Sequence, residues 1–254
     1  MQVALTRKPS PLLEQGERTH VGRDAIDFSL ALRQHDAYRA ALASCGLDVH
    51  RLDDADAFAD GVFIEDTAIV LPELAVMTRP GAASRREEVR GVAAALAEYR
   101  RVVAIEAPGT LDGGDVVVVG KRILVGRSER TTAHGIASLQ ALTFAAGYVV
   151  SSVGMHGCLH LKSGCTALPD GRLLVNPKWI DVADISDFDR LTIPEEEPWA
   201  GDVAIASGRV VSAAAHDRTN SLLAREGYAV VPVDVAEFAK AEGGVTCMSL
   251  IFDA

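Results

Sequence analysis

A cysteine near the carboxyl end of the chain is the first residue with a type and setting suited to chemistry. Cys247 follows Gly243 and Gly244 and opens an apolar stretch typical of a strand. Glycines allow a close approach of the backbone to another group. A free cysteine is commonly a small buried hydrophobic residue, so a nucleophilic role for Cys247 needs partners elsewhere in the sequence.

Acids and a histidine recur just before other apolar runs. They lie in residues 60–66 (DGVFIED), 111–115 (LDGGD) and 160–163 (HLKS). A histidine can serve a cysteine as acid or base, and carboxylates can hold a cation. His160 can equally be a hydrogen-bonded core residue, and Asp115 and Asp202 can bond backbone amides in turns. The sequence leaves these interpretations open.

Glu65 and Asp66 are two adjacent acids in a predicted buried segment, so at least one of them needs a cationic partner. They lie between apolar residues in a predicted strand, so one of the two faces inward. A buried carboxylate without a partner is costly, so a cation must lie nearby. That cation is either a lysine or arginine of the protein or a ligand.

A guanidinium substrate would reconcile a cysteine nucleophile with the surrounding acids. Carboxylates raise the pKa of a thiol, but a guanidinium is a permanent cation that two carboxylates can hold. Its carbon would accept the sulfur of Cys247, and His160 would protonate the departing amine to leave a thiouronium. Water activated by neutral His160 would then release a urea product, and Asp112 is a candidate to orient the histidine. A cysteine protease has no use for so many acids.

The spacing of His156, Cys158 and His160 requires a zinc site to be weighed. Two histidines four residues apart bind zinc on a helix, whereas Gly157 and the flanking strand pattern oppose a helix. No glycine-rich phosphate-binding motif follows a strand. We therefore expect no metal and no cofactor.

The elements that would position these residues recur along the chain. Helix, strand, loop, strand, turn and strand follow one another, and comparable points lie 38 to 49 residues apart. The apolar spacing predicts helices over residues 24–43, 85–99, 131–146 and 219–225, with a weak helical segment over 180–189. Strands are predicted over residues 47–52, 62–71, 74–78, 101–105, 116–119, 123–125, 148–153, 161–168, 173–175, 191–193, 203–206, 210–213, 228–233 and 247–252.

Five such units predict a ring. The fifth unit lacks its last strand, which residues 2–6 can supply from the amino terminus. A ring closed in this way leaves no open sheet edge. We expect one α/β domain over residues 1–254, with five repeated units about a pseudo-fivefold axis and the polar loops near that axis.

The composition of the chain argues against some classes of binding partner. The 254 residues include 48% hydrophobic and 24% charged residues, and the net charge of −10 argues against nucleic acid and anionic membranes as partners. The sequence shows no signal peptide and no apolar run of about 18 residues. Four irregularly spaced cysteines suit a reducing cytoplasm. We expect a cytoplasmic protein with a small cationic substrate, and a homodimer is left open.

Nearly the whole chain resembles the dimethylarginine dimethylaminohydrolase family of the guanidino-group modifying superfamily, whose fold is the pentein or α/β-propeller. The resemblance rests on residues 60–66, 78–86, 111–115, 128–131, 160–163 and 243–250. It implies hydrolysis of Nω-methylated arginines, such as asymmetric dimethylarginine and monomethylarginine. The products are citrulline and dimethylamine or methylamine, formed through a covalent cysteine thiouronium.

The resemblance also implies a role for each site residue. The catalytic set is Cys247 as nucleophile, His160 as acid and base, and Asp112 as its acidic partner. The substrate contacts are Glu65 and Asp66 on the guanidinium, Asp60 and the carbonyl of Ala241 on the α-amino group, Arg85 and Arg130 on the α-carboxylate, and Gly16 in a mobile lid over residues 8–22.

Two alternatives stay open from the sequence. One is the same chemistry on free arginine. In arginine deiminases the residue two after the histidine is aspartate, and Lys162 at that place favours the methylarginine enzyme. The other is a non-catalytic module that binds cationic amino acids.

Overall fold

The structure is a computed structural model that describes residues 1–53 and 56–254. Five three-stranded sheets share one pattern: a central strand pairs antiparallel with one neighbour and in parallel with the other, and a helical segment connects the two parallel strands. The strands are β1 Gln2–Arg7, β2 Asp48–Leu52, β3 Ala68–Val70, β4 Ala75–Met77, β5 Val102–Ala104, β6 Val116–Val119, β7 Arg122–Gly126, β8 Val149–Val153, β9 Cys165–Ala167, β10 Leu173–Val175, β11 Arg190–Thr192, β12 Val203–Ala206, β13 Arg209–Ala213, β14 Val230–Val233 and β15 Ser249–Asp253.

Helices connect the second and third strands of the sheets or precede the first. The α-helices are α1 Phe28–Ser44, α2 Val89–Leu96, α3 Ala133–Thr143, α4 Leu161–Gly164, α5 Asp217–Arg225 and α6 Ala236–Ala239. Short 3-10 turns cover Leu13–Gln15, Ile64–Thr67, Ala83–Glu88, Gly113–Asp115, Phe144–Ala146 and Val182–Ile185. None of the described helices has both the length and the apolar character that crossing a bilayer requires.

The amino terminus closes the ring, as the sequence predicted. β15 pairs antiparallel with β1, with Thr6 opposite Ser249, and β1 pairs in parallel with β2. The strand that follows Cys247 is therefore fixed by the first strand of the chain.

The first strands of the five sheets surround one cavity of about 310 Å³. Its walls include residues of β3, β6, β9, β12 and β15, most of them valine, alanine or isoleucine. Strands from all five units thus face a common axis, which confirms the predicted five-unit α/β architecture. That residues 1–254 form a single domain stays a prediction.

Helix α1 supports the segment that carries the cysteine. The Asp27 side chain caps the helix by accepting the N–H of Leu30 at 2.9 Å. On its inner face, the Tyr38 hydroxyl donates to the carbonyl oxygen of Val245 at 2.8 Å and lies 2.7 Å from the Ser249 hydroxyl. A buried hydroxyl needs such partners, so Tyr38 fixes the backbone on both sides of Cys247.

The predicted strands over residues 62–71 and 161–168 are wrong in their first halves. Residues 64–67 form a 3-10 turn and residues 161–164 form α4, and only then do β3 and β9 begin. A 3-10 turn directs successive side chains about 120° apart and not to opposite faces, and both Glu65 and Asp66 are buried in the protein. Strand alternation would have turned one of them outward. Two further predictions need correction, since residues 83–88 form a 3-10 turn before α2 and the segment over 180–189 contains only the turn Val182–Ile185.

Candidate active site

The turns that enter β3 and β6 each carry an acid bonded to the next unit. Asp66 Oδ1 accepts the N–H of Gly114 at 2.8 Å, and Asp115 Oδ1 accepts the N–H of Leu161 at 3.1 Å. Asp115 indeed accepts a backbone amide, but from the neighbouring unit. The first unit thereby fixes the loop of Asp112, and the second fixes the loop of His160.

His160 lies between two carboxylates. Its Nε2 is 3.0 Å from Asp112 Oδ2, and its Nδ1 is 3.7 Å from Asp66 Oδ1. Asp112 is itself held by the N–H of Gly81, which donates to Oδ1 at 2.8 Å. Burial favours the neutral imidazole, but the charge of Asp66 and the hydrogen bond to Asp112 outweigh it and raise the pKa of His160 to about 10. At neutral pH the ring is an imidazolium.

This raised pKa predicts how stability depends on pH. The folded state binds a proton on His160 up to about pH 10, whereas the unfolded chain releases it near 6.5. The resulting stabilisation is complete below pH 6.5 and is lost as pH rises through about 10, at up to about 1.4 kcal/mol per pH unit. We expect the difference in unfolding free energy between wild type and His160→Gln to shrink over this window in urea titrations. A difference independent of pH would contradict it.

Gly114 lies against the imidazole. A Cβ built there would be 2.7 Å from His160 Nδ1 and 2.8 Å from Asp66 Oδ1, closer than carbon atoms approach. We expect Gly114→Ala to displace the ring and to lower kcat about 100-fold, because an active-site shift of about 1 Å has that cost. Steady-state kinetics measure it. Gly120→Ala, in the exposed turn between β6 and β7, is the control for kcat, since nothing lies within 4 Å of its Cβ; its φ of +57° should cost about 1–2 kcal/mol of stability but no kcat.

Cys247 lines the same cavity as His160. The thiol is half-buried, and the N–H of Gly244 donates to Sγ at 3.3 Å. Burial and the charges of Asp202, Glu65 and Asp66 raise the pKa of the thiol well above its usual value. The thiol of the substrate-free protein is therefore neutral at neutral pH. The sequence had raised the same difficulty, since nearby acids disfavour the thiolate that a nucleophile needs.

Glu65 and Asp66 each form an ion pair with a cationic side chain of the protein. Lys162 Nζ lies 2.6 Å from Glu65 Oε1, and Arg85 Nη1 lies 2.5 Å from Asp66 Oδ2. Burial opposes ionisation of Asp66, but the charges of His160 and Arg85 prevail and lower its pKa to about 2. Glu65 lines the axial cavity together with Lys162 rather than the cavity of Cys247.

The two predicted carboxylate-binding arginines differ in their surroundings. Arg85 is buried, and its guanidinium donates to Asp66, to Glu88 and to the carbonyls of Asp60 and Phe63. Arg130 is half-exposed at the cavity and makes no side-chain hydrogen bond to a described residue. Arg130 therefore presents a guanidinium ready for an anion, whereas Arg85 must first exchange a bond.

The predicted lid lies over the mouth of the site. The N–H of Glu17 donates to both oxygens of Asp60, at 3.2 and 3.1 Å, and a Cβ on Gly16 would lie 2.4 Å from Asp60 Oδ1. Glu242 accepts the N–H groups of Thr19 and His20 at 2.6 and 2.9 Å. The cavity beneath holds about 20 Å³, room for about one water molecule, so an amino acid enters only after the lid moves.

One group of described residues has the geometry for a metal ion. Asp66, Asp112 and His160 each offer a ligand atom, and these atoms lie within 4.8 Å of one another. An imidazolium between two carboxylates accounts for the same arrangement, since each ring nitrogen faces one acid. His156 and Cys158, the other members of the zinc spacing weighed from the sequence, are not in this group.

Known proteins share this architecture. A model of the arginine deiminase family matches residues 62–193. A dimethylarginine dimethylaminohydrolase of Streptomyces coelicolor is 44% identical over 97% of this chain and 95% of its own length. The chain belongs to the dimethylarginine dimethylaminohydrolase family.

Two solved structures of the family superpose closely on this chain. An adduct with S-methyl-L-thiocitrulline has a TM-score of 0.93, 36% identity and coverage of 99% and 100% of the two chains. A Pseudomonas aeruginosa mutant with citrulline has a TM-score of 0.92, 37% identity and coverage of 98% of each.

The structure of this family member brings together most of the predicted site. Residues that line the cavity of Cys247 include Asp60, Asp66, Arg85, Arg130, His160 and Ala241. The other three predicted residues lie outside that lining. Asp112 bonds Nε2 of His160, Gly16 contacts Asp60, and Glu65 lines the axial cavity.

Sequence reasoning missed several residues of the site. They are Glu17 and Glu242 at the mouth, Glu88 on Arg85 and Gly114 under the imidazole. Gly114 carried a signal, because two consecutive glycines beside a candidate acid indicate close packing. The others carried none, because glutamates are common in any sequence and most of them are solvent-exposed, so nothing marked Glu17, Glu88 or Glu242.

Proposed function

We propose that this chain hydrolyses Nω-methylated arginines to citrulline and dimethylamine or methylamine. One observation supports it above the others: Cys247 shares a cavity with an imidazole that Asp112 and Asp66 keep protonated. A cysteine beside an acid of this kind suits attack on a carbon whose leaving group must gain a proton. The relatives named dimethylarginine dimethylaminohydrolase, one of them bound to citrulline, support the same reaction.

The first half of the reaction forms a covalent intermediate. The guanidinium of the substrate brings a positive charge that stabilises the thiolate of Cys247. The sulfur bonds to the guanidinium carbon, the bond from that carbon to the methylated nitrogen breaks, and that nitrogen takes the proton of His160. We assign the donor to Nδ1, because Nε2 is held by Asp112. A thiouronium on Cys247 and a free amine result.

The second half releases citrulline. Neutral His160 takes a proton from water as the water oxygen bonds to the thiouronium carbon. The bond from that carbon to sulfur then breaks and the remaining water proton passes to the departing sulfur, which restores the thiol of Cys247 and leaves the ureido group of citrulline. Asp112 stabilises the ring each time it regains its charge, since it accepts a hydrogen bond from the imidazolium.

Substrate recognition requires some ion pairs of the free protein to be exchanged. Asp66 would hold the guanidinium, as its pKa of about 2 keeps it ionised. Arg130 would bind the α-carboxylate, and Asp60 with the carbonyl of Ala241 would bind the α-amino group once the N–H of Glu17 leaves Asp60. Glu65 would act on the guanidinium only through its charge, which its ion pair with Lys162 partly offsets.

Citrulline assays decide between the candidate functions. We expect citrulline from asymmetric dimethylarginine and from monomethylarginine, with a higher kcat/KM than from free arginine. One methyl group changes transition-state binding by only about 1–3 kcal/mol, so competition between the substrates is the measurement. A preference for free arginine would assign the chain to arginine deiminase chemistry. Binding without any citrulline would identify a cationic amino-acid binding module.

The assignment of Arg130 makes a separate prediction. We expect Arg130→Ala to raise KM for monomethylarginine about 30-fold or more, because a charged hydrogen-bonded contact to the α-carboxylate is lost. Activity toward a methylated guanidine that lacks a carboxylate should be unchanged. Equal losses for both substrates would place Arg130 away from the carboxylate. Arg127→Ala is the control, since Arg127 pairs with Asp184 at the surface.

The remaining partners are proposals. A small-molecule substrate suffices for the reaction, and the acidic surface gives no support for nucleic acid. A cytoplasmic location and a homodimer also stay predictions. Sedimentation velocity over a range of protein concentrations tests the homodimer.

A further inference from the structure

The segment that carries the nucleophile runs between two cavities. Cys247 lines the active-site cavity, while Gly243, Gly244 and Val245 line a second cavity of about 160 Å³. We call residues 243–247 the nucleophile loop. The cavity leaves fewer packing contacts on that side of the loop, so hydrogen bonds contribute to its position there.

Asp202 supplies those bonds. It is buried just before β12, and its Oδ1 accepts the N–H of Thr246 at 2.9 Å while its Oδ2 accepts the Thr246 hydroxyl at 3.2 Å. A Cβ on Gly244 would lie 2.1 Å from the same Oδ2, so the carboxylate also packs against the other end of the loop. Gly244 in turn donates its N–H to the sulfur of Cys247. One carboxylate therefore contacts two positions of the loop on the amino-terminal side of the nucleophile.

We propose that Asp202 is a positioning residue that fixes the nucleophile loop and that its negative charge keeps the Cys247 thiol protonated until a cationic substrate binds. This inference rests on the proposed function for its second half, because only a cationic substrate offsets the charge. The thiol proton then passes to water, since His160 is already protonated. The acid limits the reactivity of the cysteine toward other electrophiles while the site is empty.

Other charges face the same groups. Glu65 and Lys162 act on Asp202 from the first and third units, and burial together with Glu65 raises the pKa of Asp202 to about 7. Asp202 is therefore about half ionised at neutral pH and fully ionised at the higher pH where the thiol titrates, so its charge acts on the thiol ionisation that an alkylation profile measures. Besides Asp202, the thiol faces Glu65 and Asp66. The two cavities beside the loop add Glu17, Asp60, Arg85, Arg130, His160, His216, Asp234 and Glu242.

Asp202→Asn separates charge from position. The amide oxygen still accepts the N–H of Thr246, but the negative charge is gone. The measurement is the rate of Cys247 alkylation by iodoacetamide against pH, in substrate-free protein, by mass spectrometry of the Cys247 peptide. We expect the pH midpoint of Cys247 alkylation to fall by about one unit. At any pH below the midpoint, alkylation should then be about tenfold faster than in the wild type. kcat should fall less than about tenfold, because the loop stays in place.

Asp202→Ala removes both functions. We expect a similar fall in the alkylation midpoint together with a loss of about 100-fold in kcat. Thr246→Val keeps the acid and the amide bond, so the midpoint should stay and kcat should fall severalfold. Asp115→Asn is the matched control, because Asp115 holds the same place in the second unit but bonds Leu161. It should leave the midpoint unchanged.

Two results would overturn the inference. An unchanged midpoint in Asp202→Asn removes the electrostatic role, and a wild-type kcat in Asp202→Ala removes the positioning role. If Asp202→Ala does not fold, Asp202→Asn and Thr246→Val still decide, because each keeps a bond between residues 202 and 246. If the proposed function is wrong, no methylated arginine yields citrulline. The alkylation profiles use substrate-free protein, so they still test the effect of Asp202 on the Cys247 thiol.

Discussion

Cys247→Ser is expected to lower kcat for asymmetric dimethylarginine by about 1,000-fold or more, with little change in substrate affinity. Serine has nearly the shape of cysteine, but its hydroxyl has a far higher pKa than a thiol, and a neutral hydroxyl is a weak nucleophile. Discontinuous citrulline assays measure the rate, and isothermal titration calorimetry measures binding. Because the sulfur carries the covalent step, wild-type protein quenched with substrate should also show an adduct on the Cys247 peptide.

The control for this variant is another cysteine of the same chain. Cys45 is buried where α1 ends, within the apolar core. We expect Cys45→Ala to keep kcat and to lose only stability, by about 1–2 kcal/mol. Citrulline production by Cys247→Ser at the wild-type rate, or an adduct on a different cysteine, would remove Cys247 from the mechanism.

Arg85→Ala is expected to have the largest effect on stability, at about 3–5 kcal/mol. Its guanidinium forms ion pairs with Asp66 at 2.5 Å and Glu88 at 2.9 Å, and all three side chains are almost fully buried. Removal of the cation leaves two buried carboxylates that repel each other, which is far costlier than the loss of a surface pair. Urea unfolding measures the difference, and activity should fall as well, because Asp66 faces His160.

Arg90 provides a matched control on the neighbouring helix α2. It pairs with Glu87 at 3.0 Å, but its side chain is 79% exposed. We expect Arg90→Ala to change stability by no more than about 0.5 kcal/mol. The double variant Arg85→Ala with Glu88→Gln should regain part of the loss, because one of the two unpaired charges is gone. An effect of Arg85→Ala as small as that of Arg90→Ala would show that the buried cluster tolerates an unpaired acid.

The repeat made most of the fold predictable. Alternation and apolar spacing located the strands over residues 116–119, 173–175 and 203–206 at their observed bounds. The unfinished fifth unit predicted that residues 2–6 pair with the last strand, as β1 and β15 do. Two of the errors lie where the chain enters an inner strand, since Ile64–Thr67 and Leu161–Gly164 are helical turns. A strand and a single helical turn bury the same few apolar residues, so periodicity over such short runs cannot separate them.

The sequence by itself determined which residue types are present for chemistry and that five units form a ring. A cysteine, a histidine and several acids stood at equivalent places in the repeat, and equivalent places in a ring meet near its axis. The tertiary structure alone decided which charge meets which. Lys162 pairs with Glu65, Arg85 with Asp66, and Asp202 with Thr246. These partners are 19 to 97 residues apart in the chain, and a charge interaction depends on distances of a few ångströms that sequence spacing does not contain.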